Sequence, residues 1–237
     1  MKMLFLFTTL ILGVFFKPQI PKVLYKIIDG KRIYNCETKN AYIVTSGFMI
    51  DADGAPKAYN KNSKIALDNL NNAGKPGNWW ALITDTKRKN GNPIIQKAGD
   101  PAPGYYVSTT SLQNINKKDT DPNRYVNSEI IPYIAIPSKF AKDFRLGDIA
   151  LVLNKKNNKK CFAIFADIGP RNKIGEGSIS LANSLGIKSN PKNGGTQSDI
   201  VYILLKNSGK KVVLTNTEIQ HIGTSMLSEN DIIELIK

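Results

Sequence analysis

The chain has 237 residues, 41% hydrophobic and 8% aromatic, which is enough for one large domain or two small ones. Its 33 Lys+Arg against 19 Asp+Glu leave a net charge of +14, a balance that raises polyanions, anionic surfaces and nucleic acid as partners. One histidine, His221, and two cysteines, Cys36 and Cys161, are too few for a Cys/His zinc cluster. They leave a Ser-His-Asp or Cys-His site a single late residue, so the chemistry falls to carboxylates.

Taken in order, the chain starts with Met1-Lys2-Met3 and an uncharged, mostly apolar stretch at 4–16, stopped by Lys17-Pro18. That length is short for a membrane span and right for a secretory leader. Residues 1–21 therefore read as a signal peptide or, since no small-x-small cleavage site follows, as an uncleaved N-terminal anchor. Either way the chain is expected to be exported, to the extracellular space or the cell envelope, with membrane contact only if the segment is kept. Export permits a Cys36–Cys161 disulfide; two separate thiols fit equally well.

Residues 23–28 and 31–34 flank Asp29-Gly30 as a hairpin, and 42–45 is a further strand. Asp51-x-Asp53-Gly54 begins like a calcium loop. Its glycine falls at the fourth position and Asn62 takes the place of the closing Glu, so it reads instead as a rigid acidic turn. A short helix is predicted over 65–73 with Gly74 as its stop. Trp79 and Trp80 lead into a strand at 81–84; adjacent strand residues face opposite ways, which frees one indole as a sugar-stacking platform.

Strands are expected at 93–96, 105–110 and 131–136, a hairpin from 146–153 and 161–166, a helix at 178–185, a late hairpin from 201–205 and 211–214, and a capped helix from Ser228. Many short strands with turn signals between them indicate a mainly β, single-domain fold, barrel or sandwich.

The stretch 161–178 carries the chemistry. Its apolar run is a buried strand ending on Asp167, and Gly169-Pro170 cannot continue a central strand. Nine residues on, Glu176 sits between glycines, so a rigid strand end and a loop can bring two carboxyls to one gap, the equipment for acid/base cleavage of a glycosidic bond. A turn-forming Asp and a solvated loop Glu are the plain alternative. The lysines cluster in turns, at 87–89, 117–118, 155–160 and 210–211, without an aromatic-basic RNA signature, which argues against nucleic acid.

Several blocks together resemble the fungal-type chitosanases of glycoside hydrolase family 75. They are Asp51-x-Asp53-Gly54-Ala55-Pro56-x-Ala58-Tyr59, Gly77-Asn78-Trp79-Trp80, Asp100 through Tyr105-Tyr106 to Thr110, Tyr125-Val126 with Ile131-Pro132-Tyr133, Leu146-Gly147-Asp148, and Ala163 to Ser178. The resemblance spans 47–205. It implies a catalytic domain at 47–237, with 22–46 as an N-terminal extension, and endo-hydrolysis of β-1,4-glucosamine linkages with inversion. Asp167 and Glu176 fall on the family's essential Asp and Glu. Apolar neighbours favour Asp167 as the acid, with Glu176 as base. Substrate contacts are expected from Asp51, Asp53, Tyr59, Trp79, Trp80, Asp100, Tyr105, Tyr106 and Asp148, with no cofactor or metal.

The order of strand, Asp, Gly-Pro, loop and helix is similar to a double-psi β-barrel, the expected fold. The expected partner is chitosan or partly acetylated chitin, acted on by a monomer. A non-catalytic, expansin-like glycan-binding or wall-loosening barrel is the competing reading.

Overall fold

The computed structural model describes residues 20–237, so the apolar stretch at 4–16 lies outside the described residues. No helix among those described is long and apolar enough to cross a membrane. The chain opens with a hairpin, β1 (Val23–Ile28) and β2 (Lys31–Cys36), turned by Asp29 and Gly30 in the left-handed region. β3 (Ala41–Asp51) follows, pairs with β2, and runs unbroken from 41 into the acidic turn.

After a long excursion come β6 (Tyr133–Pro137), the one-turn helix α1 (Ser138–Ala141), β7 (Ile149–Asn154) and β8 (Lys159–Gly169). Then follow β9 (Glu176–Ser178), α2 (Ile179–Ser184), β10 (Thr196–Leu205), α3 (Asn216–Met226) and α4 (Glu229–Ile236). The excursion itself holds only the two-residue strands β4 (Gly74–Lys75) and β5 (Asn78–Trp79).

Strand order is β1-β2-β3-β10-β7-β8-β6-β9, and β9 returns to pair with β3. Six strands, β3, β10, β7, β8, β6 and β9, thus close a barrel, which removes their free edges. The fold is mainly β and one domain, as the strand-and-turn pattern predicts.

Alternation along the strands sorts side chains into two clusters. One combines Val44, Phe48, Ile134, Val152, Phe165 and Tyr202 with Leu181 and Leu185 of the α2 region. The other combines Ile43, Tyr133, Leu151, Ile164 and Ile203 with Ile219, Ile232 and Leu235. The two C-terminal helices therefore cover the reverse face of the same strands. Both carry capping boxes, Thr215 with Glu218 and Ser228 with Asp231.

The structure corrects several expectations. The helix over 65–73 shrinks to a single 3-10 turn, Leu70–Asn72. Asp68 accepts from Asn69 N at 2.7 Å and from Asn72 Nδ2 at 2.9 Å, and such local bonds compete with helix formation. The late hairpin does not form, because both edges of β10 are already taken by β3 and β7. The segments at 81–84, 93–96 and 105–110 make only single bridges, Leu82 to Ser108, Thr84 to Pro93 and Ile95 to Tyr106. Cys36 and Cys161 are both free and buried, in different clusters, so no disulfide joins them.

Candidate active site

β6 is the spacer of the site. Asp167 on β8 and Glu176 at the head of β9 both stand opposite Ala135, one on each side. Residues paired across neighbouring strands share a face. Two strand spacings then set the two carboxylate-bearing Cα atoms about 9–10 Å apart, with only a methyl group between them.

That arrangement depends on a bulge in β8. Ile134 pairs with Phe165 but Ala135 pairs with Asp167, so Ala166 is an extra residue. Were Ala166 paired regularly with Ala135, Asp167 would stand opposite Ile136, in the cluster that holds Phe165 and Val152. The bulge turns Asp167 onto the face that carries Glu176.

β3 supplies the third side. It runs parallel to β9, with Met49 opposite Glu176 and Asp51 opposite Ser178. Beyond Asp51 the chain turns through Gly54, whose φ is +76° and where a Cβ would overlap Val126 O, so only glycine fits. The turn brings Asp53 beside Asp51, and Asp53 N donates to Asp51 Oδ1 at 2.8 Å. Tyr59 donates its hydroxyl to Asp53 Oδ1 at 2.7 Å, and Tyr133 donates to Asp53 O at 3.0 Å. Among the described residues this is the one place where three carboxylates converge: oxygens of Asp51, Asp53 and Asp167 lie within 4.8 Å of one another. Such oxygens suit a hard cation, but the Oδ1 of each is already bonded to a protein donor.

The two carboxyls flanking Ala135 have opposite surroundings. Asp167 Oδ1 accepts from Ser111 Oγ at 2.6 Å, Ser111 N at 2.9 Å and Ile168 N at 2.8 Å. Burial raises its pKa, and these bonds oppose the rise by favouring the ionised form. Glu176 is half-buried; its Oε2 is closed off from solvent and has no hydrogen-bond partner among the described residues. Burial, then the negative charge of Asp167, push Glu176 up to about 7, against a weaker pull from Lys173. Burial also raises Asp51 and Asp53 well above the usual carboxylate range, with neighbouring carboxylates adding to it.

Asp53 and Asp167 open into a cleft of about 640 Å³ that is also walled by Trp79, Trp80, Ser111 and Arg124. Trp79 is buried and Trp80 is half exposed, with its indole fixed by a bond from Nε1 to Asn72 O at 2.9 Å. Four of the expected contact residues are elsewhere. Asp148 is buried, accepting from the backbone of Arg145, Asn207 and Gly209, and ties two turns together. Asp100 accepts from Lys97 N in an exposed turn. Tyr105 donates to Ile65 O, and Tyr106 packs against the cluster that holds Tyr59 and Trp79. Sequence reasoning missed Ser111, Ser108 and Tyr133 as supports of the acids. Ser111 sits one residue past the Tyr105–Thr110 block but 56 positions from Asp167, and no local pattern links them.

A closed barrel that presents paired carboxyls beside an open cleft with an exposed tryptophan has the equipment of a polysaccharide-cleaving enzyme. Residues 81–231 match the family described as fungal chitosanase of glycosyl hydrolase group 75, and the chain belongs to that family of glycosidases. The match takes in Asp167, Glu176, α3 and the start of α4, and begins after Asp51, Asp53, Trp79 and Trp80. No curated protein matches the chain.

Proposed function

We propose that this protein is an exported, endo-acting chitosanase that hydrolyses β-1,4-glucosamine linkages with inversion, using Glu176 as general acid and Asp167 as general base. The observation that carries the reading is the placement of both carboxyls on one face across Ala135. Inverting glycosidases hold their carboxyls about 6.5–9.5 Å apart, leaving room for a water on the far side of the sugar. Export rests on the apolar stretch at 4–16.

The roles follow from surroundings, and they reverse the assignment drawn from the apolar run before Asp167. Glu176, its Oε2 closed off from solvent and without a donor, keeps its proton near neutral pH and gives it to the departing glycosidic oxygen. Asp167, held by three donors on Oδ1, stays ionised and takes a proton from the attacking water through its other oxygen. Water forms the new bond to the anomeric carbon as the carbon–oxygen bond to the leaving sugar breaks, so configuration inverts.

The test is release of reducing ends from chitosan by the purified protein, with anomeric configuration followed by NMR. Asp167→Asn and Glu176→Gln are expected each to abolish turnover with unchanged circular dichroism. Near-normal activity in either variant removes that residue from the mechanism. Saturable glycan binding without product from the unaltered protein would favour the non-catalytic, wall-loosening reading.

A further inference from the structure

The cleft that holds Asp53 and Asp167 is also lined by Lys87, Arg88, Lys89 and Arg124. Asp119 answers two of these, at 2.7 Å from Lys87 Nζ and 3.2 Å from Arg124 Nη1. Arg88 and Lys89 have no ion-pair partner among the described residues. None of the four cations pairs with Asp53 or Asp167, the other two carboxylates of the cleft.

The segment that carries them is firmly held. Thr84 Oγ1 donates to Arg88 O at 2.6 Å, Gly91 N to the same oxygen at 3.0 Å, and Asn92 N to Asp85 Oδ1 at 2.9 Å. Trp79 N donates to Lys89 O at 2.8 Å, which fixes the cationic tip to the backbone of the tryptophan wall. One cleft therefore has an acidic part, a tryptophan wall and a part with two unanswered cations.

Chitosan carries a positive charge on each deacetylated sugar, so a uniform polycation would be attracted by the first part and repelled by the last. Resting on the chitosanase reading, the geometry points to a substrate of mixed charge. The sugar cleaved at Asp167 and Glu176 is glucosamine, and a neighbouring sugar lying along Trp79–Trp80 carries an anionic group, carboxylate or phosphate, that pairs with Arg88 and Lys89. The subsite selects glycans in which amino sugars and acidic sugars share one strand.

The experiment compares kcat/KM on chitosan, carboxymethylated chitosan and phosphorylated chitosan of matched length, for the unaltered protein and for the Arg88→Ser, Lys89→Ser double variant. Both side chains are exposed, and Arg88 and Lys89 hold the loop through their backbone oxygens, so the variant keeps its fold, checked by thermal melting. The double variant is expected to lose about three- to tenfold on the anionic polymers, as two screened ion pairs would give, and to gain on chitosan. Both changes should fade at about 1 M salt, where the screening length is roughly 3 Å. A loss confined to one anionic polymer supports the subsite and identifies its group. Equal change on all three polymers, or none, overturns it.

Binding of carboxymethylated and phosphorylated oligosaccharides to the same two proteins, each also carrying Glu176→Gln, gives a readout that does not need turnover. If the unaltered protein cleaves no polymer, the chitosanase reading fails. An unchanged Kd in the double variant then overturns the subsite separately, and a weakened one keeps it.

Discussion

Glu176 is a carboxyl placed where its charge costs the fold stability, and the sign of that cost can be followed with pH. Its ordinary value is 4.5 and in the folded chain it is raised to about 7. Between those values the folded protein keeps a proton that the unfolded chain has lost. Stability therefore falls as pH rises through this window, and the penalty is complete above it. Glu176→Gln removes the charge, so it is expected to raise unfolding free energy by about 2–3 kcal/mol at about pH 8 and by little at about pH 4. Denaturant melts at the two pH values check this, and equal effects at both would refute it.

With Glu176 as the proposed acid, kcat/KM is expected to fall as pH rises through about 7, where its proton is lost. With Asp167 as the proposed base, the acidic limb is expected to follow this residue, since a protonated base cannot take a proton. Ser111→Ala deletes one of the three donors to Asp167 Oδ1, so the acidic limb should move to higher pH while the alkaline limb stays. A profile that only scales down in height would show Ser111 to be structural. That Asp167 and Glu176 could face one gap was legible in the sequence, because a strand ending in Asp-Ile-Gly-Pro and a Glu between glycines are local patterns. Their different surroundings were not, because the Ser111 donors to Asp167 come from 56 positions away.

At the scale of the element, the site is a matter of register. β8 carries Asp167 to the right face only through the extra residue Ala166, and β9 places Glu176 against β6 for just two paired positions. Gly169 is the gap into which Glu176 extends: a Cβ there would stand 2.6 Å from Glu176 Oε2 and 3.5 Å from Ala135 Cβ. The near atom is the end of a flexible side chain, so Gly169→Ala is expected to leave the fold intact and displace the acid. A misplacement of this size costs about a hundredfold in rate; kcat together with the melting temperature tests it, and an undiminished kcat would show that Glu176 does not act from this position.

The β7–β8 hairpin, α2 and the capped α4 were legible because each is specified by neighbours in sequence. α3 was not read, although Thr215-x-x-Glu218 is a capping box. The excursion between β3 and β6 was over-read as strands, since β-prone residues there meet partners at one bridge each and never extend a ladder.

Across the whole molecule, one sheet serves two packing layers, and the C-terminal helices complete the second. Gly223 of α3 sits flat on the Phe162 ring, where a Cβ would overlap the ring atoms. Gly223→Ala should therefore lift the helix and cost about 1–3 kcal/mol, with kcat unchanged because Asp167 stands towards the other end of β8 from Phe162 and Glu176 is on β9. Denaturant midpoints and initial rates separate the two effects, and a loss of activity without a loss of stability would contradict this layering. The barrel class was legible from the spacing of strands and turns. Its closure was not, since a register such as Ile203 to Ile43 joins positions 160 apart.

That long pairing has a kinetic consequence. β3 is made early in synthesis, yet its barrel partners β9 and β10 are among the last strands to appear. The barrel therefore closes only when nearly the whole chain exists, and folds dominated by such contacts fold in about milliseconds to seconds rather than microseconds. Meanwhile the β7–β8 hairpin, joined by Lys155 to Asn158, can form by itself and exposes an apolar ladder with open edges. Lys155, Lys156, Lys159 and Lys160 crowd its tip. Like-charged tips hold half-made chains apart while they wait for their final strands. Four of the chain's positive charges thus sit where like-charge repulsion opposes mutual capture of unfinished chains.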